Sequence, residues 1–155
     1  MVFIFSCCFF EVNALCISSA AVFGASGGVG QLICQKLSQQ GVYTTAVTRN
    51  KQSALQFEPL AKVNSIIEAD ARVVDDRLRL ACSAEAIVIS LGTTAFPTKK
   101  WEGGASNPQI ACVQTVRNIM GVIRELRSCK SARTEDPVPR RVVLLSSIGV
   151  DRSDV

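Results

Sequence analysis

The stretch AVFGASGGVGQL, residues 21–32, sets four glycines within seven positions between an apolar run and a helical pattern. Glycine weakens strands and helices alike, so a chain that concentrates it at such a junction needs bare backbone there. Ile17 to Phe23, just before it, is a short apolar run suited to a strand buried on both faces. Beyond the glycines, Val29, Leu32, Ile33 and Leu37 recur at helical spacing, and Gly41 stands where a helix C-terminus favours glycine. Strand, glycine turn and helix are therefore contiguous, which is the order in which a doubly wound α/β sheet presents its first phosphate-binding turn.

The rest of the chain continues the alternation. Val42 to Thr48 is β-branched and predicts a second strand, followed by a short helical piece over Gln52 to Phe57 that Pro59 ends. Ser65 to Ala69 predicts a third strand, a polar helix carrying Leu78 and Leu80 follows, and Ala86 to Ser90 a fourth strand. Asn107 and Pro108 have the form of an N-cap and first-turn pair. Ile110, Val113, Val116, Ile119, Met120 and Ile123 then trace the apolar face of a long helix. The charged, proline-bearing stretch KSARTEDPVPR is a surface connection, and Arg141 to Ser146 brings in a fifth strand. Strands alternating with helices through five rounds predict a doubly wound parallel sheet covered on both faces, truncated after about the fifth strand. With 155 residues and 48% apolar content the expectation is one domain, residues 17–155, behind an apolar extension, residues 1–16.

Composition removes several functions. The 17 basic and 13 acidic residues are scattered, without the basic stripe of a nucleic-acid surface, so no nucleic-acid partner is expected. Histidine is absent, which removes imidazole as a general base or metal ligand, and no metal site is expected. The seven cysteines (Cys7, Cys8, Cys16, Cys34, Cys82, Cys112, Cys129) form no CxxC pair and sit mostly among apolar neighbours, as reduced core thiols do. MVFIFSCCFF at the start falls well short of the ~20 residues that span a bilayer, and no Lys or Arg precedes it as in a signal peptide. It reads as an extra strand, an ill-ordered arm or a spurious start, and the protein is not expected to be secreted.

The candidate site gathers at the carboxyl ends of the strands. Gly24, Gly27 and Gly30 have the spacing GxxGxxG, with Ser26, Gly28 and Val29 between them, and no GK[ST] follows to make a nucleoside-triphosphate loop. In this position the turn is the expected seat of a pyrophosphate, held by amides at a helix start. The second strand ends in VTRN rather than in an acid. Arg49, roughly 20 residues past the last glycine, is placed to pair with a 2′-phosphate, so NADP(H) is the expected cofactor; the competing reading is a solvated arginine at a strand end. Asp70, after the third strand, either accepts from an adenine amino group or caps the next helix. Ser90, Leu91 and Gly92 border the same crevice beside the nicotinamide ribose, though Gly92 alone also suits a turn.

GASGGVG, VTRN, the AD at 69–70, VISLGTTAFP with the KW that follows, and RVVLLSSIGV succeed one another in a chain that resembles the short-chain dehydrogenase/reductase superfamily in its atypical NAD(P)H-binding branch. The likeness covers about residues 17–150, and the motifs follow one another as they do in plant and algal members, often plastid ones. It implies a Rossmann fold with NADP(H) in the crevice, an unidentified small-molecule substrate, and a chloroplast or otherwise cytoplasmic location. Members of the family include reductases, isomerases and proteins that bind the cofactor mainly to regulate or assemble something else.

Catalytic members of that family use a Ser or Thr after the fifth strand and a Tyr-x-x-x-Lys pair, the lysine lowering the tyrosine pKa for proton transfer. Ser147 matches the serine, but the only tyrosine, Tyr43, lies in the second strand with Val47 four residues on. The catalytic residues are therefore unassigned. In the long segment from Thr93 to Ser106, Phe96, Lys99, Lys100 and Trp101 either cover the nicotinamide end or attract an anionic substrate, or else Phe96 and Trp101 simply pin the loop while the paired lysines face solvent. Full-length relatives continue beyond the point where this chain stops, so the VVLL strand is expected to be an exposed apolar edge prone to self-association. Three functions stand at this point: an NADP(H)-dependent oxidoreductase, a non-catalytic NADP(H)-binding regulatory or assembly module, and a degenerate fragment.

Overall fold

The run SAAVF buries four of its five side chains, and such a strand needs a neighbour on each edge and a helix layer on each face. The computed structural model, which describes residues 17–92, 109–129 and 139–145, supplies both. Strands β1 (Ser19–Phe23), β2 (Tyr43–Thr48), β3 (Ser65–Glu68), β4 (Ala86–Ile89) and β5 (Arg141–Leu144) form one parallel sheet in the order β3-β2-β1-β4-β5. Ala20 pairs with Thr44 on one side and Ala86 on the other, and Phe23 with Val47 and Ile89, so β1 is the central strand. The architecture is a Rossmann-like α/β fold.

Side chains alternate across the sheet and divide the core in two. On one face Val22, Ala46 and Val88 pack against Cys34 of α1 (Gly28–Gln39), Ala54 of α2 (Lys51–Ala54) and Leu60 of α3 (Glu58–Ala61). On the other, Ala21, Phe23, Ile87 and Ile89 meet Leu78 of α4 (Asp76–Ala81) and Ile119, Val122 and Ile123 of α5 (Thr115–Cys129). Each large side chain buried this way contributes roughly 1.5–3 kcal/mol relative to exposure. β5 takes one edge, with Val143 and Leu144 exposed.

Several elements differ from the sequence expectation. Val29 and Leu32 are 57% and 61% exposed; the inward stripe of α1 is Gly30, Ile33, Cys34 and Leu37. Where the helix passes closest to the first turn only the small Gly30 and Cys34 are fully buried, with Ile33 and Leu37 packed partly buried beside them and Val29 and Leu32 left exposed. Pro59 does not end a helix but opens α3 from its first turn, where a missing N–H costs nothing. Leu78 is fully buried while Leu80 is exposed. The long helix begins with a π-helical segment, Gln109–Gln114, in which Ile110 and Val113 are exposed. Residues 1–16 and the Asn107–Pro108 cap lie outside the described residues.

Candidate functional site

The order 3-2-1-4-5 reverses direction between β1 and β4, and the carboxyl ends of those strands diverge to leave a crevice. A cleft of about 460 Å³ opens there, within the size of small-molecule sites. All ten residues singled out for a cofactor line it: Gly24, Ser26, Gly27, Gly28, Val29 and Gly30 from the first turn, Arg49, Asp70, Leu91 and Gly92.

The glycines divide by role. Gly24 leaves β1 at φ +77°, and a Cβ on it would lie 2.6 Å from the Ser90 carbonyl oxygen. At Gly30 a Cβ would fall 2.1 Å from the Gly24 oxygen and 2.8 Å from the Ala25 Cα. Both are packing glycines, required where backbone passes backbone. A Cβ on Gly28 would meet nothing within 4 Å, so that glycine keeps space open on the crevice side.

Gly27 is the N-cap of α1 in an extended conformation and offers no capping side chain. Its own N–H goes to the Gly24 oxygen at 3.0 Å, and the first bond of the helix runs from the Gln31 N–H to the Gly27 oxygen at 2.9 Å. The amides of the first turn therefore stand at the crevice as a partial positive charge with no side-chain acceptor, the arrangement that binds phosphate. Ser90 fixes the opposite wall: its N–H and Oγ both donate to the Phe23 oxygen, at 3.0 and 2.8 Å.

Arg49 is exposed at the end of β2 and, among the described residues, has no hydrogen bond or ion pair. Its neighbour Asn50 is occupied in capping α2, accepting from the Ser53 N–H at 2.9 Å. Asp70 does not cap the next helix; Asp75 does, accepting from the Leu78 N–H at 2.8 Å. The Asp70 carboxylate instead accepts from the Arg72 backbone N–H and grips its guanidinium through both oxygens. The hydrogen-bonded Arg72 guanidinium holds that carboxyl below the usual carboxylate range, and the charge of Arg49 adds to the effect.

Arg72, Ala111 and Thr115 are among the crevice residues that were not anticipated. Nor was Asn118, whose Nδ2 donates to the Ala71 oxygen at 2.9 Å while its Oδ1 accepts from Gln114. Through this bond α5 holds the loop that follows β3. Thr115 and Asn118 share a helix stripe with Val122, and polar residues inside an apolar stripe are the signal that would have found them. Thr115 Oγ1 donates to Ala111 and Cys112 oxygens where the π-helical turn meets α5.

Tyr43 opens β2 opposite Ser19, at the end of the sheet remote from the crevice, and its side chain is 52% exposed. Burial pushes the thiol pKa of Cys34 up to about 11 and that of Cys82 up to about 12, which keeps both protonated and unreactive. Ser147, Phe96, Lys99, Lys100 and Trp101 lie outside the described residues. Among the described residues no helix is long and apolar enough to cross a membrane.

A family model described as NAD(P)H-binding matches residues 24–155. No curated protein matches. Among solved structures, the chain is similar to a short-chain dehydrogenase/reductase from Veillonella parvula (TM-score 0.56, 15% identity, 86% of this chain and 49% of that one). It is similar also to a short-chain dehydrogenase/reductase superfamily protein from Agrobacterium tumefaciens with bound NAD (0.59, 15%, 83% and 32%). A third is yeast methylglyoxal/isovaleraldehyde reductase complexed with NADPH (0.60, 19%, 83% and 37%). The chain thus spans half or less of the length of each of these structures.

Proposed function

The chain belongs to the NAD(P)H-binding family, and from that premise we propose that its crevice holds NADP(H) and that the whole protein is an oxidoreductase. Arg49 carries the first half of this reading. An acidic residue at the end of the second strand would bind the ribose 2′-OH of NAD. Here a guanidinium lines the crevice, unpaired among the described residues, and its planar fork suits a 2′-phosphate.

The other groups fit the same ligand. The uncapped first-turn amides of α1 and the open space at Gly28 suit a pyrophosphate close to backbone. Asp70 and Ala71 border the adenine end, and Leu91 and Gly92 the ribose beside the nicotinamide. When bound, the nicotinamide supplies or accepts the hydride, and the protein contributes orientation and electrostatics. That one structural neighbour is a reductase complexed with NADPH supports the class.

Isothermal titration calorimetry with NADPH and NADH tests the binding reading. NADPH binds the wild-type protein more tightly, and Arg49→Ala weakens NADPH by about 10- to 100-fold, the range of a charged hydrogen-bonded contact, with little change for NADH. Equal effects on both would remove the phosphate contact from Arg49, and binding of neither would remove the crevice as the site. Turnover of carbonyl substrates with NADPH then separates the enzyme from a non-catalytic NADP(H)-binding module.

A further inference from the structure

Asp70 stands on the crevice with both carboxylate oxygens engaged. Its Oδ1 accepts from the Arg72 backbone N–H at 3.0 Å and from Arg72 Nε at 2.9 Å; its Oδ2 accepts from Nε at 2.9 Å and from Nη2 at 2.5 Å. Three N–H groups of a single residue, two places along the chain, cover both oxygens, the one on Nε shared between them. An adenine amino group has only N–H to offer, so it competes with the guanidinium for these oxygens.

The pair is placed to make that exchange. Both side chains are about one-third exposed, at 30% for Arg72 and 31% for Asp70, and both line the crevice rather than the core. Arg49, Asp70 and Arg72 are the only charged residues among the described ones that line it, and the Arg49 charge is felt at Asp70. The crevice lining among the described residues thus sets two guanidinium groups against one carboxylate, only Arg72 being bonded to it, and the surplus positive charge suits an anion.

We propose that Arg72 is a specificity-determining residue: it occupies the adenine acceptor Asp70 and releases it when a 2′-phosphate offers the guanidinium another anion. The inference rests on the reading of the crevice as a dinucleotide site and extends it. Freeing a guanidinium from a bidentate pair is unfavourable unless a second anion replaces the first. The 2′-phosphate of NADP(H), drawn in by Arg49, is such an anion, and Arg72 exchanges Asp70 for it while the adenine amino group takes the vacated oxygen. NAD(H) brings no phosphate to that side of the adenosine, so the same exchange leaves Arg72 without a partner. Discrimination against NAD(H) then comes from the occupied acceptor as well as from the contact to Arg49.

Two substitutions in the one pair give effects of opposite sign. Arg72→Ala frees Asp70 and removes one phosphate partner, so in calorimetry NADH binds about fivefold more tightly and NADPH about fivefold more weakly. Asp70→Asn keeps an oxygen for the adenine amino group but loses the charge that holds Arg72, so NADPH binds more tightly and NADH no more weakly. Thermal unfolding of the unliganded variants shows whether each is folded. If Arg72→Ala does not fold, Asp70→Asn decides: tighter NADPH supports the exchange, and weaker or unchanged NADPH overturns it. Loss of both cofactors in folded Arg72→Ala, or no change in their ratio, also overturns it by reducing Arg72 to a loop-shaping role. Binding of neither nucleotide to the wild-type protein would instead overturn the dinucleotide reading beneath it.

Discussion

The two ends of the sheet are built from the same kinds of residue and finished in opposite ways. At the amino ends of the strands polar groups close on one another. The Ser18 N–H and Oγ donate to Glu85 Oε2, both at 2.9 Å, the Glu85 N–H returns to Ser19 Oγ at 3.0 Å, and the Arg140 N–H reaches the Glu85 carbonyl at 2.8 Å. Asn64 Oδ1 takes the N–H of Thr44, the second residue of β2, at 2.8 Å. At the carboxyl ends Gly27 leaves the start of α1 uncapped and Arg49 has no partner among the described residues. The topology explains which end is which. In parallel βαβ units every helix begins where a strand ends, so the positive helix ends collect at one edge; Asn50 and Asp75 cap α2 and α4 there, and the start of α1 is left open to a ligand.

The sharpest test of this contrast lies within the glycine turn itself. Gly30→Ala puts a methyl group 2.1 Å from a backbone oxygen, so the turn must open; it is expected to cost about 3 kcal/mol or more in chemical denaturation. Gly28→Ala, with nothing within 4 Å of the new carbon, is expected to leave stability within about 0.5 kcal/mol while weakening NADPH binding in calorimetry. Similar losses of stability in both would erase the division between packing and ligand glycines.

A smaller effect is expected where the helix layer supports the open end. Asn118→Ala leaves the Ala71 carbonyl without its partner and should cost about 1–2 kcal/mol. Because the loop that it holds borders the adenine end, NADPH and NADH should weaken by the same factor, and a change in their ratio would place Asn118 in phosphate recognition instead.

The smallest effect belongs to the closed end. The Ser18 N–H and hydroxyl hold the Glu85 carboxyl below its ordinary value of 4.5, so the ionised form favours the folded state. That contribution is present above pH 4.5 and is lost as the pH falls through the lower folded value. Glu85→Gln should therefore lower Tm slightly at pH 7, converge with the wild type in acid, and leave cofactor affinity unchanged. A loss of affinity would mean that the two ends are coupled.

The alternation of strands and helices, the glycine turn and the arginine that ends β2 were all legible in the chain, because periodicity and turn chemistry act between residues a few positions apart. Asp70 shows where that legibility stops: its two readings, adenine acceptor and helix cap, look alike in sequence, and the fold set its carboxylate on Arg72 and gave the cap to Asp75. The inward face of α1 is a second case, since Ile33 and Leu37 of the apolar pattern pack inward while Val29 and Leu32 are exposed, and Gly30 and Cys34 make the most buried contact. How closely a helix approaches a strand decides which side chains fit between them, and spacing along the chain does not encode that distance.

The sequence by itself determined the order of elements, the doubly wound sheet and the end of it at which the crevice opens. Tertiary structure alone decided the partners of Asp70, the separate duties of Gly28 and Gly30, and the bond from Asn118 to Ala71 across 47 positions. Local patterns fix what each segment becomes. Only the assembled packing brings distant segments to within hydrogen-bond reach, and there a few tenths of an ångström separate a contact from a clash.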